Sequence, residues 1–195
     1  TQNKIFALAN LSALINYAAT FAVAFMLSLY LQYVLDLKAS EAGMILVIQP
    51  VIMAIVASFS GRLSDKKNPK KLAAIGMGFS SVGLFLLSFI DENTSTIYIL
   101  TALFVLGVGF GFFSSPNTNV IMGSVDRKVQ GTASAMVATM RSTGMMVSMA
   151  VASLTIHWFL GKAQITPENM GLFVTSTKMV FSIFTVLCVA GVFTS

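Results

Sequence analysis

The chain has 195 residues, of which 56% are hydrophobic and only 10% are charged. Soluble domains carry about 25% charged residues, so this composition excludes an ordinary soluble globular protein and favours a membrane protein with the lipid bilayer as its solvent. The net charge of +5 does not indicate a nucleic-acid partner, because the basic residues stand in short clusters without a DNA- or RNA-binding motif. The single cysteine, Cys188, excludes an internal disulfide and a thiol metal cluster.

Six apolar runs are long enough to cross a bilayer, which takes about 20 helical residues. They predict transmembrane helices over residues 5–35, 42–61, 72–90, 97–116, 132–160 and 172–193. Since the loops are short, we expect a single all-α bundle in which consecutive helices are antiparallel neighbours. The chain begins without methionine and stops just after an apolar run, so we expect it to be a fragment of a longer polypeptide.

The charges of the loops predict the orientation. One side holds most of the basic loop residues, namely Lys4, Arg62, Lys66, Lys67, Lys70, Lys71, Arg127 and Lys128. The other side holds most of the acidic residues, namely Asp36, Glu41, Asp91, Glu92 and Glu168. Because cytoplasmic loops retain an excess of Lys and Arg, both ends of the chain are predicted to be cytoplasmic, in the cell (inner) membrane.

The loop after the second run reads Gly61-Arg62-Leu63-Ser64-Asp65-Lys66-Lys67-Asn68-Pro69-Lys70-Lys71. Gly61 permits close backbone approach, and the Asp65 carboxylate can interact with the positive N-terminal end of a neighbouring helix or pair with Arg62 or Lys66. Such contacts would hold only while the cytoplasmic side is closed. On these residues alone, a solvated basic loop that merely follows the orientation rule remains the alternative.

This loop resembles the signature loop of the major facilitator superfamily, in which a glycine is followed four residues later by an aspartate, a basic residue, a turn and further basic residues. Asn68 stands where the family usually has glycine, and asparagine also tolerates the left-handed conformation. Other segments resemble the C-terminal six-helix half of the fourteen-helix drug:proton antiporter branch: Tyr30-Leu31-Gln32, Gln49-Pro50, Ser114-Ser115-Pro116-Asn117-Thr118-Asn119 and Met140-Arg141-Ser142-Thr143-Gly144.

The resemblance implies half of a transporter, built from 3+3 inverted repeats and completed by a missing N-terminal six-helix half. It implies efflux of drugs or other small molecules by proton antiport with alternating access, driven by the proton motive force without a cofactor. The implied cytoplasmic gate motif is Gly61, Arg62, Asp65, Lys66, Lys70 and Lys71. The first, second, fourth and fifth helices would face the cavity, where the candidate lining residues are Asn16, Tyr17, Gln49, Ser115 and Arg141.

Arg141 is the only charge well inside a predicted span, about 15 Å along the fifth helix from its cytoplasmic start. At that depth it would bind an anionic substrate group, pair with a carboxylate or anchor helices, and snorkelling to the interface is the alternative. Asn16 fits cavity lining and interhelical support equally. Pro116 is expected to bend or end the fourth helix, with Asn117 and Asn119 capping the freed backbone groups.

Small residues predict close helix packing at Gly76, Ser80, Gly83, Gly107, Gly109 and Gly111. Every carboxylate lies in or beside a predicted loop, so proton-coupling residues would have to lie in the missing half. Catalytic motifs, nucleotide loops and metal-ligand spacings are absent from the sequence, and we do not expect an enzyme. A homodimeric half-size carrier or channel of unknown substrate, formed by two copies of this segment, is the alternative function.

Overall fold

The computed structural model describes residues 2–194, and the regular elements in this range are all helical. The α-helices are α1 (Gln2–Tyr33), α2 (Ala39–Leu46), α3 (Ile48–Ser64), α4 (Pro69–Leu87), α5 (Thr96–Gly123), α6 (Gln130–Leu160) and α7 (Met170–Thr194). Short 3₁₀ turns, Arg127–Val129 and Pro167–Asn169, precede α6 and α7. With α2 and α3 taken as one interrupted span, the described residues hold 6 helical spans long and apolar enough to cross a membrane.

The second span is interrupted at Val47, although the sequence predicts one continuous helix over residues 42–61. Pro50 has no backbone N–H, so the carbonyl four residues earlier, on Leu46, lacks its helical partner and α2 ends there. The Val51 N–H still donates to the Val47 carbonyl at 3.1 Å, which keeps α2 and α3 joined. Pro50, which is part of the family resemblance, therefore also divides this span.

Of the two effects expected of Pro116, bending or ending the helix, the structure excludes the second, because α5 continues past it to Gly123. The asparagines that follow it tie α5 to two other helices. The Asn117 side chain donates to the Ala9 carbonyl of α1 at 3.1 Å, and the Asn119 side chain donates to the Ser64 hydroxyl of α3 at 2.5 Å. They bridge helices instead of capping α5, because packed neighbours hold the backbone around the proline in its helical path.

The glycines of α5 allow two helices to approach it closely. A Cβ atom at Gly107 would lie 2.8 Å from the Gln49 carbonyl oxygen of α3, and one at Gly109 would lie 2.5 Å from the Ser80 backbone nitrogen of α4. Gly111 accepts a hydrogen bond on its carbonyl from the Ser60 hydroxyl of α3, at 2.8 Å. The close packing predicted from these small residues is confirmed.

Consecutive helices are not always neighbours, although the short loops predicted that they would be. α3 makes few contacts with α4 and packs along α5, while α6 packs along α1. α4 packs against both α5 and α7. A short loop joins only the ends of two helices, whereas the size of the facing side chains decides which faces meet. The α3/α5 and α6/α1 pairs correspond to one another, as 3+3 inverted repeats require.

The helices differ in how far the bundle buries them. In the apolar stretches of α1, α4, α5 and α7, between 44% and 56% of the residues are buried, against 28% in α6 and 11% in α2–α3. The exposed side chains of α4 and α7 include large apolar ones, namely Phe79, Phe85, Val186, Val189 and Phe193. Exposed hydroxyls of α7 bond to their own helix backbone, as Thr175 does to the Gly171 carbonyl at 2.8 Å. These two helices are therefore suited to lipid.

Candidate functional site

Arg141 of α6 lies over an aromatic ring of α1. Its guanidinium carbon is 6.0 Å from the centroid of the Tyr17 ring, at the edge of the range of cation–π attraction. The Ser114 side chain of α5 interacts with Tyr17 from a third helix. Gly144 brings α6 close to α1, because a Cβ atom there would lie 3.0 Å from the backbone nitrogen of Ala18. Three helices thus converge near the middle of α1.

The guanidinium of Arg141 lacks a carboxylate partner. Its side chain is exposed, and among residues 2–194 no carboxylate oxygen lies within 4.0 Å of it. Exposed methionines stand beside it on α6, namely Met145, Met146 and Met149. A charge at this depth meets water or other protein rather than lipid. The arginine is therefore available to a group that the described residues do not provide.

An apolar pocket of about 290 Å³ lies between α1 and the interrupted span. It is lined by Thr20, Phe21, Ala24, Gly43, Leu46, Val47, Gln49, Pro50 and Met53. On α1, Tyr17 is followed at helical spacing by Phe21 and Ala24. The pocket therefore begins about one turn from the arginine cluster, toward the C-terminal end of α1. The interruption at Val47, which Pro50 causes, forms part of its wall.

The structure brings three of the five predicted cavity residues to this region. Tyr17 and Arg141 are in the cluster, and Gln49 lines the pocket. Asn16 does not line it: the residue is 1% exposed, and its side-chain amide donates to the sulfur of Met77 in α4 at 3.8 Å. Of its two predicted roles, interhelical support is the one its surroundings fit.

The serine beside Tyr17 is Ser114, whereas Ser115 was the one predicted from the sequence. Neighbouring residues on a helix point about 100° apart, so both could not face the same site. Ser115 instead packs against Gly61 of α3, where a Cβ atom would lie 3.3 Å from its hydroxyl oxygen. Phe21 and Met53 of the pocket were not predicted from the sequence, because an apolar residue within a transmembrane run carries no signal of which way it faces.

The predicted gate motif lies where α3 passes into α4. Gly61 packs against α5 through Ser115. Asn68 is the N-cap of α4: its side-chain oxygen accepts a hydrogen bond from the Lys70 backbone N–H at 3.0 Å, and Pro69 occupies the first turn. Asparagine in place of the family's glycine therefore starts a helix here.

The charged side chains of the motif are not paired with one another. Arg62, Asp65 and Lys66 are exposed, and within the described range neither basic residue lies within 4.0 Å of the Asp65 carboxylate. The internal ion pair considered from the sequence is therefore not formed. In water such a pair gains little attraction and loses side-chain entropy. The Asp65 carboxylate remains available to a partner outside this segment.

Comparisons with known proteins identify the family. The sequence profile of the Major Facilitator Superfamily matches residues 9–194. The riboflavin transporter RibZ of Clostridioides difficile (strain 630) is 26% identical over 190 residues, which are 97% of this chain and 42% of RibZ. The uncharacterized transporter YebQ of Escherichia coli (strain K12) is 30% identical, over 80% of this chain and 34% of YebQ. The chain thus spans less than half the length of these relatives.

A solved transporter structure has the same fold. A solved structure of a bacterial homologue of the human drug peptide transporters PepT1 and PepT2 matches with a TM-score of 0.83 and 18% sequence identity. The match covers 100% of this chain and 41% of that chain, and at this identity it shows the fold alone. Because the family profile covers nearly the whole sequence and the six spans have this fold, the chain belongs to the major facilitator superfamily, a family of membrane transporters.

Proposed function

We propose that this chain is the C-terminal half of an exporter of small molecules, of the fourteen-helix drug:proton antiporter branch, with both ends in the cytoplasm. An N-terminal half completes the cavity, and the two halves rock to expose it alternately to each side of the cell membrane. Relatives named as exporters or resistance proteins support this reading. They include the lincomycin resistance protein LmrB of Listeria monocytogenes, 28% identical over 76% of this chain, and the multidrug efflux pump LfrA of Mycolicibacterium smegmatis, 26% identical over 75%.

The exposed polar side chains of α6 are the observation that carries the proposal. Thr139, Arg141 and Ser142 are all exposed on a helix that the bundle buries little. An arginine at the centre of the lipid costs at least about 2.5–3.5 kcal/mol, so this face is suited to a water-filled cavity or to a second protein half. The exposed faces of α4 and α7 are apolar by contrast and suit lipid.

Proton coupling is assigned to the other half. The acidic residues of this chain lie in loops, in short turns or in the first turn of α2, at Asp36, Glu41, Asp65, Asp91, Glu92, Asp126 and Glu168. A carboxylate that carries a proton across the membrane must be reachable from both sides through the cavity. The proton motive force then drives export, and the reaction needs no cofactor.

Everted membrane vesicles that contain the full-length protein are expected to accumulate small molecules when respiration energises them. The measurement compares lipophilic cations, neutral drugs and organic anions, each with and without a protonophore. Accumulation that the protonophore abolishes supports proton-coupled export. If no compound of any charge accumulates to a higher level than in vesicles that lack the protein, the proposal is wrong. Accumulation that survives the protonophore contradicts proton coupling.

Asp65→Asn in the full-length protein is expected to slow export, because the substitution removes a charge that can bind the positive end of a helix in the other half. Such a contact contributes at most about 2 kcal/mol, which limits the loss of transport rate to about thirty-fold. Asp126→Asn is the matched control, since Asp126 is likewise exposed and precedes two basic residues in a loop on the same side. Initial export rates that fall equally in both variants would contradict a specific role for Asp65 in the gate.

A further inference from the structure

We propose that the site on α1 is built for amphiphilic organic anions, with the Arg141 guanidinium binding the anionic group and the apolar pocket binding the body of the molecule. This inference rests on the proposed function and names its substrate class. It combines two features that the structure places side by side: an arginine without a carboxylate partner in the described range, and an adjacent pocket whose wall is almost entirely apolar.

The arginine cluster has the chemistry of an anion site. A guanidinium presents several N–H donors in a fixed plane, which match the oxygens of a carboxylate or a sulfonate. The hydroxyls of Tyr17 and Ser114 stand on the other two helices of the cluster and interact with each other, which leaves one hydroxyl hydrogen free to donate to the same anion. An anionic ligand would therefore be held by the guanidinium on α6 together with one hydroxyl, on α1 or on α5.

The pocket has the chemistry of an apolar site. Phe21, Leu46 and Met53 supply its surface, and the Gln49 side chain is the one amide among its lining residues. Ala24, at the far end of the α1 stripe, lies seven residues from Tyr17, which corresponds to about 10 Å along the helix. A ligand that bridges the two features has its charge at one end and an apolar body of about this length at the other.

Cations are disfavoured at this site. The guanidinium would repel them, and the carboxylates of the chain stand at the ends of the helices rather than near Tyr17. A carboxylate of the other half that pairs permanently with Arg141 is the competing explanation for the exposed arginine. It predicts a loss of transport that is independent of the charge of the substrate, which separates it from the proposal.

The test uses the full-length protein in proteoliposomes with two probes that share one ring system, naphthalene-2-sulfonate and naphthalene-2-sulfonamide. The first is anionic at neutral pH and the second is uncharged. The wild type is expected to transport the sulfonate with the higher kcat/KM. Arg141→Gln is expected to lower kcat/KM for the sulfonate by about 10-fold or more, as removal of a charge-assisted contact should. Transport of the sulfonamide should change less than about two-fold, and Arg141→Lys should restore part of the sulfonate transport.

Two further variants keep the test decisive. Lys178→Gln removes a charge elsewhere in the membrane-spanning part and should leave both probes unaffected. Phe21→Ala should lower kcat/KM for both probes, because it removes apolar surface from the pocket. If Arg141→Gln does not fold, the comparison of probes is made with Arg141→Lys, which keeps the charge and loses the planar fork, so the sulfonate should be the more affected.

Three outcomes would overturn the inference. One is an equal loss of transport for both probes in the Arg141 variants, which assigns the arginine to a structural role or to an ion pair with the other half. Another is a wild type that exports cations or neutral drugs but not the sulfonate, which leaves the proposed function standing. The third is a wild type that exports no compound at all, which contradicts the proposed function and the inference together.

Discussion

Gly76→Ala is expected to separate α4 from α5 and to reduce sharply the amount of folded protein. A Cβ atom at this position would lie 2.4 Å from the Phe113 backbone nitrogen, 2.7 Å from the Phe112 carbonyl carbon and 2.8 Å from the Gly109 carbonyl oxygen. All three atoms belong to the backbone of α5, so no side-chain rotation can relieve the clash. Overpacking a core typically costs about 1–3 kcal/mol, and a clash between a Cβ atom and a neighbouring backbone belongs at or above the upper end of that range.

The thermal stability of the full-length protein in detergent, together with its elution as a single species, measures this effect. Gly78→Ala is the control on the same helix, because its added Cβ would lie more than 4 Å from every atom of the neighbouring helices. Alanine is a better helix former than glycine by about 1 kcal/mol, so this variant should be as stable as the wild type or slightly more stable. Equal melting temperatures for the two variants would show that α5 does not approach α4 as closely as described.

Residues 1–195 alone are expected to give no proton-driven efflux from proteoliposomes in which the full-length protein is active. Alternating access needs two halves that move against each other, and the little-buried faces of α3 and α6 would have no partner. The segment also lacks a carboxylate in the middle of a span. The efflux rate of the segment is expected to equal that of empty liposomes under the same pH gradient.

Circular dichroism must first show that the isolated segment keeps its helical content, and the two samples need equal protein-to-lipid ratios. Co-reconstitution with the remaining part of the polypeptide should restore efflux if both parts assemble. Efflux by the segment alone, accompanied by a defined dimer in crosslinking, would contradict the proposal. It would favour the homodimeric half-size carrier or channel that the sequence left open.

The sequence by itself determined the class of protein and its spans. The bilayer requires long apolar runs, so composition and the spacing of charges predict six helices without reference to how they pack. The glycines of α4 and α5 could also be interpreted in advance, since a residue without a side chain has few uses in a membrane helix other than close approach. The loop after Gly61 indicated the family, because its order of glycine, aspartate and basic residues does not depend on tertiary contacts.

Only the tertiary structure decided which side chains meet. The choice between Ser114 and Ser115 depends on the rotation of α5, which is set by the glycine contacts with α3 and α4. Asn16 faces α4 instead of the cavity for the same kind of reason. In a chain that is apolar throughout its spans, hydropathy is nearly equal on every face, and the packing of side chains sets the rotation of each helix. Arg141 was thus visible in the sequence as a charge inside a predicted span, but its position over Tyr17, beside an apolar pocket, emerged from the packing of α6 on α1.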